Sequence, residues 1–268
     1  MHFEVELDVT ELDSLVAVDF LWSHFDQLSK SRIKDAMKKG AVFLERKGER
    51  SSLRKAQTPL KIGDKVEVYY DQDYLNMKPQ KAELLTDQIQ YSIWLKPAGM
   101  PLEGELFGDH LSLLRVADQS YDSERDAYLL YELADDSKGV LLIVHHRRSA
   151  ATFTAMLENN EIRFKYRVEV SGQFEDSTEL DFDDEDFTLK GKLEPVRYVE
   201  HTHSTVVDLY LNQGESKDIC SYFMERGYPV LGDEYIGGNT DRDVMQLGLV
   251  ELDFTCPISG DLMHYRAY

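Results

Sequence analysis

The chain has 268 residues, is 42% hydrophobic and carries a formal net charge of −20. That length fits one large domain or two unequal ones with a sizeable core, and no run of eighteen apolar residues offers a membrane span. Fifty acidic residues against thirty basic ones exclude indiscriminate coating of nucleic acid, because phosphate contacts need positive charge where they are made.

The opening "MHFEVELDV" alternates like a strand and lacks the basic and apolar regions of a signal peptide, so a soluble, cytoplasmic protein is expected. Leu28–Lys55 then reverses the overall charge, with ten basic and three acidic residues. Within it, Ser31–Lys39 reads as a short helix. Ile33, Ala36 and Met37 share one face, Arg32, Lys34, Lys38 and Lys39 surround it, and Gly40 can end it. "AVFLERKGE" predicts a strand entering a turn, and "PLKIGDKVEVYY" a turn at Gly63–Asp64 followed by an alternating strand. Residues 1–75 therefore form a compact α-then-β module with one basic face, and 76–90 read as a linker.

From Tyr91 to the end, strands dominate. "YSIWLKPAGMP" is a strand ending in a turn, and "KGVLLIVHH", "IRFKYRVEVSG" and "STVVDLYLNQGE" are further strands. "SAATFTAMLENN" predicts an amphipathic helix with Ala151, Phe153, Ala155, Met156 and Leu157 on its apolar face. "SKDICSYFMERG" is a second helix, with Ile219, Tyr222 and Phe223 at core spacing, and the C-terminal residues form a hairpin turning at Ser259–Gly260. Many strands and few helices predict an α+β fold whose second domain, 91–268, is a mixed, mostly antiparallel sheet. "EDSTELDFDDEDF", Glu175–Phe187, packs eight acids into thirteen residues and reads as an exposed, mobile insertion. It lacks the glycine and spaced terminal glutamate of a calcium loop. Cys220 and Cys256 suit neither a disulfide framework nor a zinc site, and His145 and His146 have no ligand cluster, so no metal is expected.

"LSKSRI", "KKGAVFLE" and "LKIGDKVEV" occur in order at suitable spacing, and together resemble the S-four-type RNA-binding module. "WLKPAGMP", "YELADDSKGVLLIV", "FKYRVEVSG" and "VVDLYLNQGESKDICSYFMERGYPVLGDEYIGG" resemble, in the same order, the successive signatures of the RluA family of RNA pseudouridine synthases. The resemblance covers nearly the whole chain. It implies a cofactor-free enzyme that breaks the bond from uracil to ribose, turns the base and rejoins it through carbon, using one aspartate as nucleophile or base. It implies a structured ribosomal or transfer RNA as partner and a nucleotide turned out of its stack into a pocket. Lys30, Arg32, Lys34, Lys38, Lys39, Arg46 and Lys47 become the candidate RNA contacts. Pocket candidates are Tyr131, Glu132, Leu133, Tyr166, Cys220 and Lys96, the last of these mainly structural.

Residue by residue, the chain departs from the family at the reactive positions. Ala134 stands where the catalytic aspartate belongs, and Cys220 where an arginine pairs with it. Tyr131 and Glu132 replace a histidine and an arginine, while Glu215 and Lys217 replace an arginine and a histidine. Leu133, Gly139, Pro97, Gly99, Ile219, Gly227, Pro229, Gly232 and Asp233 still match. Removing one partner of a buried ion pair costs about 3–5 kcal/mol, so loss of the aspartate favours loss of its arginine. Three functions follow as expectations: an RNA-binding protein with lost or reduced catalysis, an active synthase using Asp135 or Asp136, or an acidic partner-binding protein that kept the fold. Alternation along an extended segment would turn Asp135 away from the pocket, and Asp136 would serve the turn.

Overall fold

The computed structural model describes residues 1–121, 125–183, 188–234 and 244–267. In chain order the elements are β1 (His2–Asp8), α1 (Ala17–His24), α2 (Lys30–Lys38), β2 (Val42–Arg46), β3 (Glu49–Ser52), β4 (Lys65–Asp71), α3 (Gln72–Asn76), β5 (Glu83–Asp87) and β6 (Tyr91–Lys96). They continue as α4 (Leu113–Ser120), β7 (Tyr128–Leu129), β8 (Lys138–Val144), α5 (Arg147–Glu158), β9 (Arg163–Ser171), β10 (Thr178–Asp183), β11 (Thr188–Val199), β12 (Ser204–Gln213), α6 (Ser216–Glu225), β13 (Leu247–Thr255) and β14 (Leu262–Arg266). This is a mixed α+β chain of two compact units, Met1–Pro79 with Glu103–Gln119, and Gln80–Leu102 with Ser120–Tyr268.

In the first unit a four-stranded antiparallel sheet runs β1-β4-β2-β3. Strict alternation in β4 puts Val66, Val68 and Tyr70 into a core shared with Phe20 and Leu21 of α1 and Ile33, Ala36 and Met37 of α2. Ser29 caps α2 by accepting from the Arg32 amide at 3.3 Å. Residues 103–119, expected in the second domain, return to this unit. The Asp109 amide donates to the Lys39 carbonyl at 2.8 Å, its carboxylate pairs with Arg54, and the Tyr74 hydroxyl donates to the Gly108 carbonyl at 3.3 Å. Such long-range contacts leave no local pattern, which is why a boundary drawn on composition misses them.

In the second unit the sheet order is β10-β11-β12-β9-β13-β8-β6-β5, with β14 beside β13 and β7 beside β8. Among the described residues only β8 and β13 pair in parallel. Gly139 makes that junction possible: its φ is +146°, and a Cβ there would strike the Leu249 backbone.

Three expectations need correction. Residues 83–87, read as linker, form an edge strand on β6 in which Leu84 lies opposite Trp94. The acidic segment is not an insertion over 178–183. Leu180 is buried, Phe182 rings pack against Tyr222, and the intervening acids face out, a two-residue period that pairs with β11. Residues 184–187 lie outside the described residues, as does the Tyr235–Gly238 end of "GYPVLGDEYIGG". On α5 the buried face is Ser149, Ala150, Phe153 and Met156; Ala151 and Ala155 are exposed.

Candidate active site

The "YELADDSKG" stretch ends in a tight turn. The Ser137 amide closes it by donating to the Ala134 carbonyl at 2.9 Å, with Asp135 and Asp136 at the corner. Lys96, the last residue of β6, holds this turn from within. Its ammonium group is fully buried and donates to the carbonyls of Asp135 at 2.6 Å, Ser137 at 2.7 Å, Ala134 at 3.1 Å and Pro97 at 3.3 Å. Three backbone acceptors of one turn thus converge on one cation, a demand only a long, three-donor side chain meets. Burial pulls the Lys96 pKa down to about 8, against the opposing pull of Asp135 and Asp136. The Gly99 amide adds a bond to the Asp135 carbonyl at 2.8 Å, and Gly99 takes φ +76°.

Beside this turn lies a cavity of about 350 Å³ lined by Ala134, Asp135, Ser216, Lys217, Cys220, Asp233 and Met245. Helix α6 supplies three of these. Its start is fixed by a reciprocal cap, in which the Glu215 side chain accepts from the Asp218 amide and the Asp218 carboxylate accepts from the Glu215 amide at 2.8 Å. That places Ser216 and Lys217 on the first turn and Cys220 one turn further on. The Cys220 thiol is pushed far above its ordinary range, first by burial and then by the Asp233 carboxylate, to which it hydrogen-bonds. Burial of this kind favours the protonated thiol over the nucleophilic thiolate.

The expected pocket residues do not all meet at this cavity. Ala134 and Cys220 meet on the cavity wall. Asp135, expected to point away, lines the same cavity, because the chain turns at this point instead of continuing as a strand. Asp136 does not line it. Tyr131, Leu133 and Tyr166 are core residues instead. The Tyr131 hydroxyl accepts from the Leu142 amide at 3.0 Å and donates to the Val140 carbonyl at 3.3 Å, and its ring packs edge-on against Phe164. Tyr166 sits opposite Leu209 and Leu249 in neighbouring strands, and burial drives its pKa upward. Glu132 is exposed, and Lys96 acts behind the turn rather than in the cavity. No sequence pattern singles out Ser216 or Met245, and Asp233 counts in the sequence among the matching scaffold residues. The neighbouring "GESKD" marks only the segment that holds Ser216, since it matches the family segment that carries α6 into the site; nothing marks Met245.

Among the basic candidates of the first unit, several are already engaged. Arg46 donates to both oxygens of the buried Asp64, at 2.9 and 2.7 Å, and to the Pro59 carbonyl at 3.0 Å, and this holds the Asp64 pKa low. Arg46 is therefore a structural residue. Lys30 pairs with Asp19 at 2.6 Å and Lys39 with Asp35 at 2.8 Å, while Arg32 reaches the Tyr70 hydroxyl at 3.4 Å. Lys34, Lys38 and Lys47 reach solvent.

The RNA pseudouridylate synthase family model matches residues 90–227, half of the chain and both walls of this cavity as far as α6. The chain belongs to that family. No curated protein matches it. Among solved structures it is similar to human RNA pseudouridylate synthase domain containing 1, with a TM-score of 0.55 at 12% identity over 71% of this chain and 85% of that one. It is also similar to human RNA pseudouridylate synthase domain containing 4, with a TM-score of 0.51 at 12% identity over 68% of this chain and 87% of that one. At that identity the likeness concerns the fold, a mixed α+β architecture with mostly antiparallel strands.

Proposed function

We propose that this chain is an RNA-binding member of the RluA branch of the family that keeps the nucleotide pocket and has given up the isomerisation. Family membership implies an RNA substrate. The observation that carries the reading is the cavity wall: Ala134 and Cys220, the positions to which the resemblance assigns the aspartate and its arginine, both line it with a methyl group and a buried thiol. Neither can add to a base or hold a developing charge. The first unit, read as an S-four-type module, contributes the backbone contacts through Lys34, Lys38 and Lys47, with the basic 28–55 segment supplying local positive charge to an acidic chain.

A second reading is supported by Asp135, which lines the same cavity. In it, the carboxylate one residue along the turn takes over the chemistry. Tritium release from RNA labelled at uridine C5 decides between them. The expected result is no release above background with the wild-type chain. Turnover that Asp135→Asn abolishes would overturn the first reading and establish the second. RNA affinity that falls steeply with salt is expected under both. No RNA binding even at low salt would overturn both and leave the acidic partner-binding alternative.

A further inference from the structure

The first unit carries aromatic rings on the face of its sheet that turns away from the core. Alternation in β2 and β4 sends Phe43 and Tyr69 outward, while Leu44, Val68 and Tyr70 face the core. Tyr69 meets Phe43 edge-on at 5.9 Å. Phe107 joins them from the loop before α4, edge-on to Tyr69 at 5.9 Å and stacked on His2 at 4.8 Å. That loop is pinned by reciprocal backbone bonds between Glu105 and Gly108, at 3.2 and 3.1 Å. Arg50, on the neighbouring β3, lies over the Phe43 ring with its guanidinium carbon 3.8 Å from the ring centre. Glu67 holds it there, accepting from Nε at 3.1 Å and from Nη2 at 2.9 Å. Beside these groups opens a recess of about 510 Å³ lined by Phe43, Arg50, Gly104, Glu105, Leu106 and Phe107. Phe43 and Phe107 are only half-buried, and Leu106 is 45% exposed. Large apolar groups gathered at one open recess mark a place for a partner.

We infer that this recess stacks a single unpaired nucleobase of RNA. The inference rests on the RNA-binding reading above and gives the first unit a base contact beside its phosphate contacts. Glu67 already takes the N–H edge of Arg50, so the guanidinium offers its plane rather than its donors. A flat guanidinium and aromatic rings hold a base by stacking, and stacking needs no hydrogen-bond partner from an apolar lining. Charge decides which part of the nucleotide enters. Glu105 is the one carboxylate of the lining, which turns a phosphate away from the recess. Lys47, in the β2–β3 turn three residues before Arg50, is exposed and meets the phosphate outside. A base inside a duplex is excluded, because its neighbours already cover both of its faces. An apolar side chain of a protein partner would fill the recess but use neither the guanidinium plane nor Lys47.

The test is a titration of the full chain with a short single-stranded oligouridylate carrying 2-aminopurine at its centre, a base whose fluorescence falls when it stacks. Saturable quenching is expected. Phe107→Leu keeps an apolar side chain and removes the ring, and Arg50→Lys keeps the charge beside Glu67 and removes the plane. Each should weaken binding about tenfold, the worth of one stacked base, and relieve the quenching without changing how affinity falls with salt. Lys47→Ala should do the reverse, lowering the salt slope by about one and leaving the quenching at saturation intact. Arg50 is exposed, so its variant decides if Phe107→Leu fails to fold. Binding without quenching, or affinity and quenching that Arg50→Lys leaves unchanged, overturns the inference. Unchanged RNA binding with a loss of self-association in sedimentation also overturns it, and gives the recess to a second copy of this chain. Transfer RNA titrated at low salt separates the two levels. If transfer RNA binds and the labelled strand does not, this inference alone falls; if neither binds, the reading beneath it falls as well.

Discussion

On one side of the Ala134–Ser137 turn lies a backbone cradle; on the other lies the cavity wall. The cradle is made of Lys96, Gly99 and Gly139, and each is the residue type its geometry demands. Lys96 satisfies three carbonyls of the turn, Gly99 adopts φ +76° while its amide donates to the Asp135 carbonyl, and Gly139 lets β8 approach β13. The wall is made of Ala134, Ser216, Cys220 and Asp233, and the proposed reading gives it a methyl and a thiol where the resemblance expects an acid and a guanidinium. The contrast teaches that fold and chemistry place separate demands on neighbouring residues. Cradle residues answer to backbone sterics and hydrogen bonding, so replacing them costs stability. Wall residues answer to a reaction, and under the proposed loss of that reaction a methyl and a thiol pack at no cost to the fold.

The sharpest way to break this contrast is Gly139→Ala. The new Cβ meets the carbonyl oxygen, nitrogen and carbon of Leu249, all backbone atoms that cannot swing aside, at a φ that L-residues avoid. Overpacking and left-handed strain together predict a loss of about 4 kcal/mol, read from chemical denaturation. A loss below about 1 kcal/mol would mean that the parallel junction is not what holds the glycine in place.

Lys96→Met comes next. It keeps the length of the side chain and leaves the carbonyls of Ala134, Asp135 and Ser137 without their buried donor, an expected loss of about 3 kcal/mol at neutral pH. The pH dependence carries a sign. The pKa of Lys96 in the folded chain is about 8, below its unfolded value, so between the two the unfolded chain binds more protons. Stability from this group therefore rises as pH goes from about 8 towards the unfolded value, and the neutral amine still has two N–H donors for the turn. The gap between wild type and Lys96→Met should widen over that range. A gap that narrows would show that the carbonyls hold the ammonium charged well above pH 8.

How much of this was legible beforehand follows the range of the forces involved. Period-two alternation in Phe164–Val170 and the Ile33/Ala36/Met37 face of α2 are local, and both are visible in the sequence. The signatures around Lys96 and Gly139 were visible too, but only as a resemblance; the reason for them, a cation under a turn and a strand junction, appears only in three dimensions. Tyr131 and Tyr166 were assigned to the pocket by alignment, whereas the sheet turns both rings into its core. Residues 103–119 and the edge strand β5 were missed because long-range partners fix them. Met245 joins Ala134 across more than a hundred residues of chain, and no spacing rule connects the two.

The smallest effect, and the one that tests the wall itself, comes from putting the family residues back. Ala134→Asp alone adds a carboxylate to a cavity already lined by Asp135 and Asp233, with Lys217 the one lining group of opposite sign among the described residues, and Lys217 lies beside Glu215. The expected cost is about 1 kcal/mol, with no tritium release from labelled RNA. Cys220→Arg alone is better tolerated, because the Asp233 carboxylate already lies beside position 220 and gives the guanidinium a partner. The double variant should be more stable than the sum of the singles by about 1 kcal/mol, since each new charge then meets its opposite. It should also be the first to show measurable isomerisation. If Ala134→Asp by itself both folds well and turns over uridine, positions 134 and 220 are not coupled, and the wall lost its acid without any pressure on the arginine. If the double variant pairs its charges yet stays inactive, the missing chemistry extends to Glu132, Glu215 and Lys217, and the wall has been rebuilt for a different occupant.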